Sequence, residues 1–173
     1  DKIDKAVIDS MKNCKVIANY AVGFNNIDVD YANSKGIIVT NTPDVLTDST
    51  ADIAIALVLA CARRITEAEI FVRDKKFVGW KPKLLLGLEL RNKYFGILGA
   101  GRIGTEVAKR AHAFSCRIIY YSNSANSFLE NKLNAEKLSL SSILKKSDIL
   151  SLHLPLNTKT YHLLNEKNLN LLK

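Results

Sequence analysis

Tyr94-Phe95-Gly96-Ile97-Leu98-Gly99-Ala100-Gly101-Arg102-Ile103-Gly104 is the stretch that decides the fold of this chain. Its first five residues form a short apolar run, and the glycines at 99, 101 and 104 take the spacing GxGxxG. Beyond them, Ile103, Val107, Ala111 and Phe114 recur with the 3.6-residue period of one helix face. Arg117-Ile118-Ile119-Tyr120-Tyr121 then reads as a second strand. A strand, a glycine turn, a helix and a strand within about 30 residues is the context in which this spacing has physical content. Gly99 would allow the tight turn, Gly101 would let a pyrophosphate approach the main chain, and Gly104 would permit close packing of helix on strand. The helix start adds free amides and partial positive charge. Dinucleotide binding is therefore the expected reading, set against the plainer one of a turn that merely packs tightly.

Ser122 ends the second strand about 20 residues after the glycines, where NAD-binding proteins usually carry an acid for the ribose hydroxyls. The missing carboxylate permits a 2′-phosphate. No Arg or Lys lies between Ser122 and Glu130 to clamp one, however, so NAD(P) is expected with only a slight lean to NADP.

Working outward, a helix around Ser141 to Lys146 leads to a third strand, Ile149 to Leu154, and Ser122 to Asn134 is merely polar. Apolar strands alternating with helices imply a parallel sheet covered on both faces. Upstream, Lys15–Tyr20 and Ile37–Thr40 read as two strands with a turn and a short helix between them. Asn41-Thr42-Pro43-Asp44 interrupts the pattern and marks a boundary or hinge. Thr47-Asp48-Ser49 opens a helix running to about Lys76, whose first half, Ile53 to Ala62, is apolar all round and so expected to be buried. Residues 77 to 90 read as a connecting arm.

A length of 173 residues suits one domain or two incomplete ones. Hydrophobic residues at 47 % and charged residues at 24 % exclude disordered and fibrous classes. The apolar run 53–62 is half of the roughly 20 residues that cross a bilayer, and no secretory pattern opens the chain, so a cytoplasmic location is the default expectation. Cys14, Cys61 and Cys116 are widely spaced and read as reduced thiols in cores, with no metal site. The net charge of +8 is scattered over all segments, so no nucleic-acid partner is expected.

Several ordered motifs together carry a family resemblance. They are Ala21-Val22-Gly23-Phe24-Asn25-Asn26-Ile27-Asp28, Asn41 to Asp48 leading into Ser49-Thr50-Ala51-Asp52, Gly79-Trp80-Lys81-Pro82, the glycine stretch Gly96 to Gly104, and Ser147 to Leu156. The chain resembles the D-isomer-specific 2-hydroxyacid dehydrogenases, and within them it looks most like the glyoxylate/hydroxypyruvate reductases. Asp52 stands where that family usually has Glu, and Asn25 where Asp is common.

The resemblance implies an α/β fold: a doubly wound parallel-sheet (Rossmann) cofactor domain over residues 43–173, plus part of a flavodoxin-like substrate domain over 1–42. It implies homodimerisation through the helix at about 47–76 and the arm after it. Amides around Val22 and Gly23 would hold the carboxylate of a small 2-oxo acid. Arg102 and Ile103 would lie against the pyrophosphate, with Gly99, Gly101 and Gly104 forming the turn. Ser122 would sit near the adenosine ribose, and Leu154, Pro155 and Thr160 along the adenosine side of the cleft. Pro155 as a simple strand terminator and Thr160 as a solvated loop residue are the plainer alternatives.

In the family, hydride passes from the nicotinamide to the keto carbon while an Arg, an acid and a His orient the substrate and deliver the proton. Those three lie beyond the equivalent of Lys173, so no catalytic residue is assigned, and the 173 residues alone are expected to show little or no turnover. His112 and His162 read as structural or solvated, and His153, at a strand's carboxyl end, is not the family's proton donor. The alternative function is a nucleotide-sensing corepressor or binding protein on the same scaffold.

Overall fold

Asp4 and Asp28 start the first two helices of the protein, whose computed structural model describes residues Asp1 to Lys173. The Asp4 carboxylate accepts from the Val7 amide and opens α1 (Lys5–Ser10); the Asp28 carboxylate accepts from the Tyr31 amide at 3.0 Å and opens α2 (Val29–Ser34). Between them lies β1 (Val16–Ala18), and after them β2 (Ile38–Thr40), which pairs with β1 in parallel, Val16 opposite Ile38. Ile8, Ala32 and Ile37 form a small core beneath. Helix α1 was not expected from the sequence, because six residues hold too few periods to register.

The chain divides into two units: Asp1–Leu46 with Pro155–His162, and Thr47–Leu154 with Leu163–Lys173. The division falls four residues after the 42/43 boundary read from Pro43, and a late segment joins the first unit.

The second unit opens with α3 (Thr47–Ala62) and α4 (Ile65–Arg73). The single helix expected over 47–76 is thus broken, with Arg64 in the left-handed region at φ 54°. The cause is tertiary. The Leu88 amide donates to the Ala62 carbonyl at 2.6 Å, the Arg64 guanidinium donates to the Leu86 carbonyl, and Glu67 holds Arg64 from the other side. The arm after α4 therefore takes the groups that would continue the helix. A second correction concerns 53–62: Ala51 and Ile55 are buried, but Ile53 and Leu57 are about three-fifths exposed, so α3 covers the core with one face only. Cys61 is exposed too, whereas Cys116 is buried in the second unit's core and Cys14 packs, partly buried, against the first unit's.

After the arm come β3 (Tyr94–Leu98), α5 (Arg102–Ala113), β4 (Arg117–Tyr121), α6 (Ser127–Leu133), β5 (Glu136–Lys137), α7 (Leu140–Lys146), β6 (Ile149–Leu152) and α8 (Glu166–Leu169). The four strands form a parallel sheet in the order β5-β4-β3-β6. Their side chains alternate: Phe95, Ile97, Ile118 and Tyr120 enter one core with α3 and α5, while Leu98 and Ile119 enter a second with Ile143 of α7. Both faces are covered, as parallel strands require. The α5 face that packs is Gly104, Val107, Ala108 and Ala111, with Ile103 beside it; Phe114, expected on that face, is the C-cap and remains exposed. Two further departures are α6, placed within the stretch read as merely polar, and β6, which stops at Leu152. Leu129 of α6 is fully buried and Leu133, one turn on, packs partly buried against the same core, a single repeat too short to give a readable period.

Arg110 of α5 joins the two packed helices. Its guanidinium donates to Asp52 at 2.7 Å and Asp48 at 2.9 Å on α3, and to Glu106 on its own helix. The α3 carboxylates are largely exposed, so this network positions the helices while contributing on the order of 1 kcal/mol or less per pair.

Candidate functional site

The chain leaves β3, turns at the glycines and enters α5 at the point where the strand order reverses: β4 lies on one side of β3 and β6 on the other. In open α/β sheets such a switch point at the strands' carboxyl ends is where ligands bind. The three glycines differ in what surrounds them. Gly99 has φ +100°, and a Cβ there would lie 2.4 Å from the His153 carbonyl oxygen. At Gly104 a Cβ would lie 2.0 Å from the Gly99 carbonyl oxygen, so α5 crosses the turn with no room for a side chain. Around Gly101 a Cβ would meet nothing within 4 Å.

Gly101 is also the N-cap of α5, and it supplies no side-chain partner. No acidic residue stands in the first helical turn. The amides of Arg102, Ile103 and Gly104 precede the first intrahelical bond, which runs from the Thr105 amide to the Gly101 carbonyl. An uncapped, acid-free helix start beside an open glycine offers an anion several N–H donors and partial positive charge. The residues present therefore fit a dinucleotide's phosphates.

Around this turn the second unit gathers several of the residues named from the sequence. The Gly99 amide donates to the Tyr121 carbonyl at 2.8 Å, which sets the start of the turn beside Ser122. A Leu154 methyl approaches the Gly99 position from the other side. Ser122 is half-buried and Arg102 exposed. Val22, Gly23, Pro155 and Thr160 belong to the first unit. There the Val22 carbonyl accepts from the Asn41 side-chain amide at 2.9 Å, and the Gly23 carbonyl from that of Asn19 at 2.7 Å. With both carbonyls held, the exposed Val22 and Gly23 amides donate to no group of the chain. The Thr160 hydroxyl donates to the Pro155 carbonyl and accepts from the Asn157 amide, closing its own loop.

Sequence reasoning missed three residues here. The Lys137 ammonium lies 3.3 Å from the Asn123 carbonyl, beside Ser122, because β5 pairs with β4 and sets Lys137 opposite Tyr120. It has no carboxylate partner, and no local pattern announces it. Tyr120, fully buried, donates its hydroxyl to Glu130 at 2.6 Å and accepts from the Asn126 amide. Burial, reinforced by Glu130, pushes its phenol pKa up, so the donor stays protonated. Asn126 itself bridges to the glycine turn. Its identity as a favoured helix N-cap was the one signal available.

His153 is half-buried, with Nε2 2.8 Å from the Ser151 hydroxyl, and burial holds its pKa below the ordinary 6.5. Below that value the unfolded chain takes up a proton that the folded chain resists, so stability present at neutral pH is lost on acidification. We expect stability to fall between about pH 7 and about pH 5, by a fraction of the limiting ~1.4 kcal/mol per pH unit and read as a lower melting temperature, and to fall less in His153→Gln. Equal slopes in thermal melts of the two proteins would remove His153 as the cause. His162 stacks on Tyr161, ring centroids 4.0 Å apart, and His112 is exposed on α5.

Comparison with known proteins places this geometry among its relatives. Residues 55–173 match the family model described as D-isomer specific 2-hydroxyacid dehydrogenase, NAD binding domain. The whole chain is 50 % identical to a glyoxylate reductase of Thermococcus litoralis, of which it covers 54 %. Among solved structures, all of the chain superposes on 54 % of a Thermus thermophilus protein at a TM-score of 0.92 and 45 % identity. It also superposes on 51 % of the D-lactate dehydrogenase of Aquifex aeolicus, complexed with NAD and lactic acid, at 0.93 and 33 %. The chain spans about half the length of the curated relatives it matches.

Proposed function

Because the chain belongs to the D-isomer specific 2-hydroxyacid dehydrogenase family, through that family's NAD binding domain, we propose that a protein of the relatives' length carrying it reduces a small 2-oxo acid to the D-2-hydroxy acid with NAD(P)H. The observation that carries the reading is the open face over Gly101 at the uncapped start of α5. Nicotinamide, when bound, supplies the hydride. The chain's own residues bind and orient. Amides of the first α5 turn, with Gly101 at their edge, take the pyrophosphate; Arg102 and Ile103 lie against it, and Ser122 neighbours the adenosine ribose. Leu154, Pro155 and Thr160 line the adenosine side. The unclaimed amides of Val22 and Gly23 receive the substrate carboxylate, for which an exposed turn without a blocking side chain is suited.

Glyoxylate is the proposed substrate, with hydroxypyruvate next, on the strength of a relative named glyoxylate reductase at 50 % identity. NADP is slightly favoured: Ser122 brings no carboxylate against a 2′-phosphate, and Lys137 sets a cation beside the same loop. A homodimer is proposed through α3, α4 and the arm, where the large apolar side chains of Ile53, Leu57, Ile70, Val72, Val78 and Trp80 are exposed. No helix is long and apolar enough to cross a membrane. The corepressor reading finds no support among relatives named as reductases.

The test uses the full-length protein. Glyoxylate-dependent oxidation of NADPH or NADH is expected, together with coenzyme binding by calorimetry. Absence of heat with every nicotinamide coenzyme would overturn the reading.

A further inference from the structure

The loop between β4 and α6 and the glycine turn are separate in sequence, yet one side chain ties them together. The Asn126 Nδ2 group donates one hydrogen to the Ala100 carbonyl at 3.0 Å and the other to the Thr105 hydroxyl at 2.9 Å. Its Oδ1 accepts from the Leu129 amide at 3.1 Å, capping α6, and its backbone amide donates to the Tyr120 hydroxyl at 2.9 Å. Every polar group of the side chain is therefore used, and the two ends of the amide cannot be exchanged: a carbonyl requires the NH2, and an amide requires the oxygen.

Ala100 is the middle residue of the turn, and its carbonyl shares a planar trans peptide with the Gly101 N–H, so the two point in opposite directions. A carbonyl drawn toward Asn126 directs the Gly101 N–H to the other side. The need for such a tether follows from composition, since glycines on both sides of Ala100 leave the peptide free to rotate among many conformations. Thr105 adds a second point, one turn into α5.

We propose that Asn126 is a positioning residue for the coenzyme: it fixes the Ala100–Gly101 peptide for the pyrophosphate and holds the ribose-side loop, residues 122–126, at a set distance from it. This rests on the reading that the turn holds NAD(P). Asn126 touches the coenzyme only through the turn, and its effect is on affinity, with little effect on the chemical step.

Asn126→Ser in the full-length protein separates the two jobs of the side chain, since serine is an equally good N-cap but too short to reach Ala100. Coenzyme titration by calorimetry reads affinity from Kd and the folded fraction from stoichiometry, so partial unfolding lowers the second and leaves the first. Asn126→Ser is expected to weaken NAD(P)H binding about 5- to 10-fold, the worth of roughly one hydrogen bond, with the coenzyme KM rising in step and kcat within about twofold. Thr105→Val, which removes one of the two acceptors and keeps the shape, is expected to weaken it about threefold. Unchanged Kd in a folded Asn126→Ser protein overturns the proposal; if that variant does not fold, unchanged Kd in Thr105→Val does so. Wild-type protein that binds no coenzyme would instead defeat the underlying reading.

Discussion

Gly104→Val is expected to unfold the second unit at temperatures where Gly101→Val leaves it intact, while Gly101→Val removes coenzyme binding. At 104 the new Cβ would sit 2.0 Å from a main-chain oxygen and 3.2 Å from the Ile97 side chain. Backbone cannot swing aside as a side chain does, so either α5 lifts from β3 or the turn is displaced. Overpacking of this kind costs about 3 kcal/mol or more, a fall of roughly 6–12 °C in melting temperature for a chain of this size. At 101 the added atoms meet open space, and the backbone angle of φ −79° suits any residue. Valine is a poorer N-cap than glycine, so stability should fall by only about 1 kcal/mol. The same open space is where phosphate would come to the amides. Loss of two charge-assisted hydrogen bonds there implies binding at least about a hundredfold weaker. Thermal melts and calorimetry on both variants check the pair. Wild-type affinity in a folded Gly101→Val protein would mean that coenzyme does not lie on this turn.

Ser122→Asp is expected to move coenzyme preference about thirtyfold toward NADH, by weakening NADPH about tenfold and strengthening NADH about threefold. A carboxylate at the end of β4 accepts from ribose hydroxyls but repels a 2′-phosphate. The site is half-exposed, so the repulsion is screened well below its buried value. Lys137→Ala should shift preference the same way by a smaller factor, because a lone ammonium on a flexible stem is removed and no acid is introduced. Kd values for both coenzymes, measured at one ionic strength, decide it. An unmoved ratio in Ser122→Asp would separate this residue from the ribose. A wild-type protein that prefers NADH would reverse the slight lean to NADP and leave the turn's role untouched.

Much of the second unit was legible because its signals are local. The run Tyr94–Leu98, the glycine spacing and the α5 apolar positions each specify an element from within about a dozen residues, and short, largely apolar runs mark β4 and β6. Phe114 was misplaced by one property that pattern reading lacks: a helix can end one residue before its last apolar position. The break at Arg63 and Arg64 had no signal of its own, since good helix formers run through it, and the arm that returns to claim the Ala62 carbonyl is about 25 residues away. For α6, only Leu129 and Leu133 anchor seven residues, and one apolar repeat in so short a polar stretch is too little to mark a period.

Sequence alone determined the parallel α/β class, the family resemblance and the turn where α5 begins, because hydrophobic period and glycine freedom act between near neighbours. Only the tertiary structure decided which groups converge on that turn. Lys137 arrives through strand pairing, Asn126 through a bridge to Ala100, and Leu154 through the strand on the other side of β3. Hydrogen bonds and charges between distant residues depend on where the sheet sets them, and that placement is settled by burial of the whole core rather than by any stretch of chain.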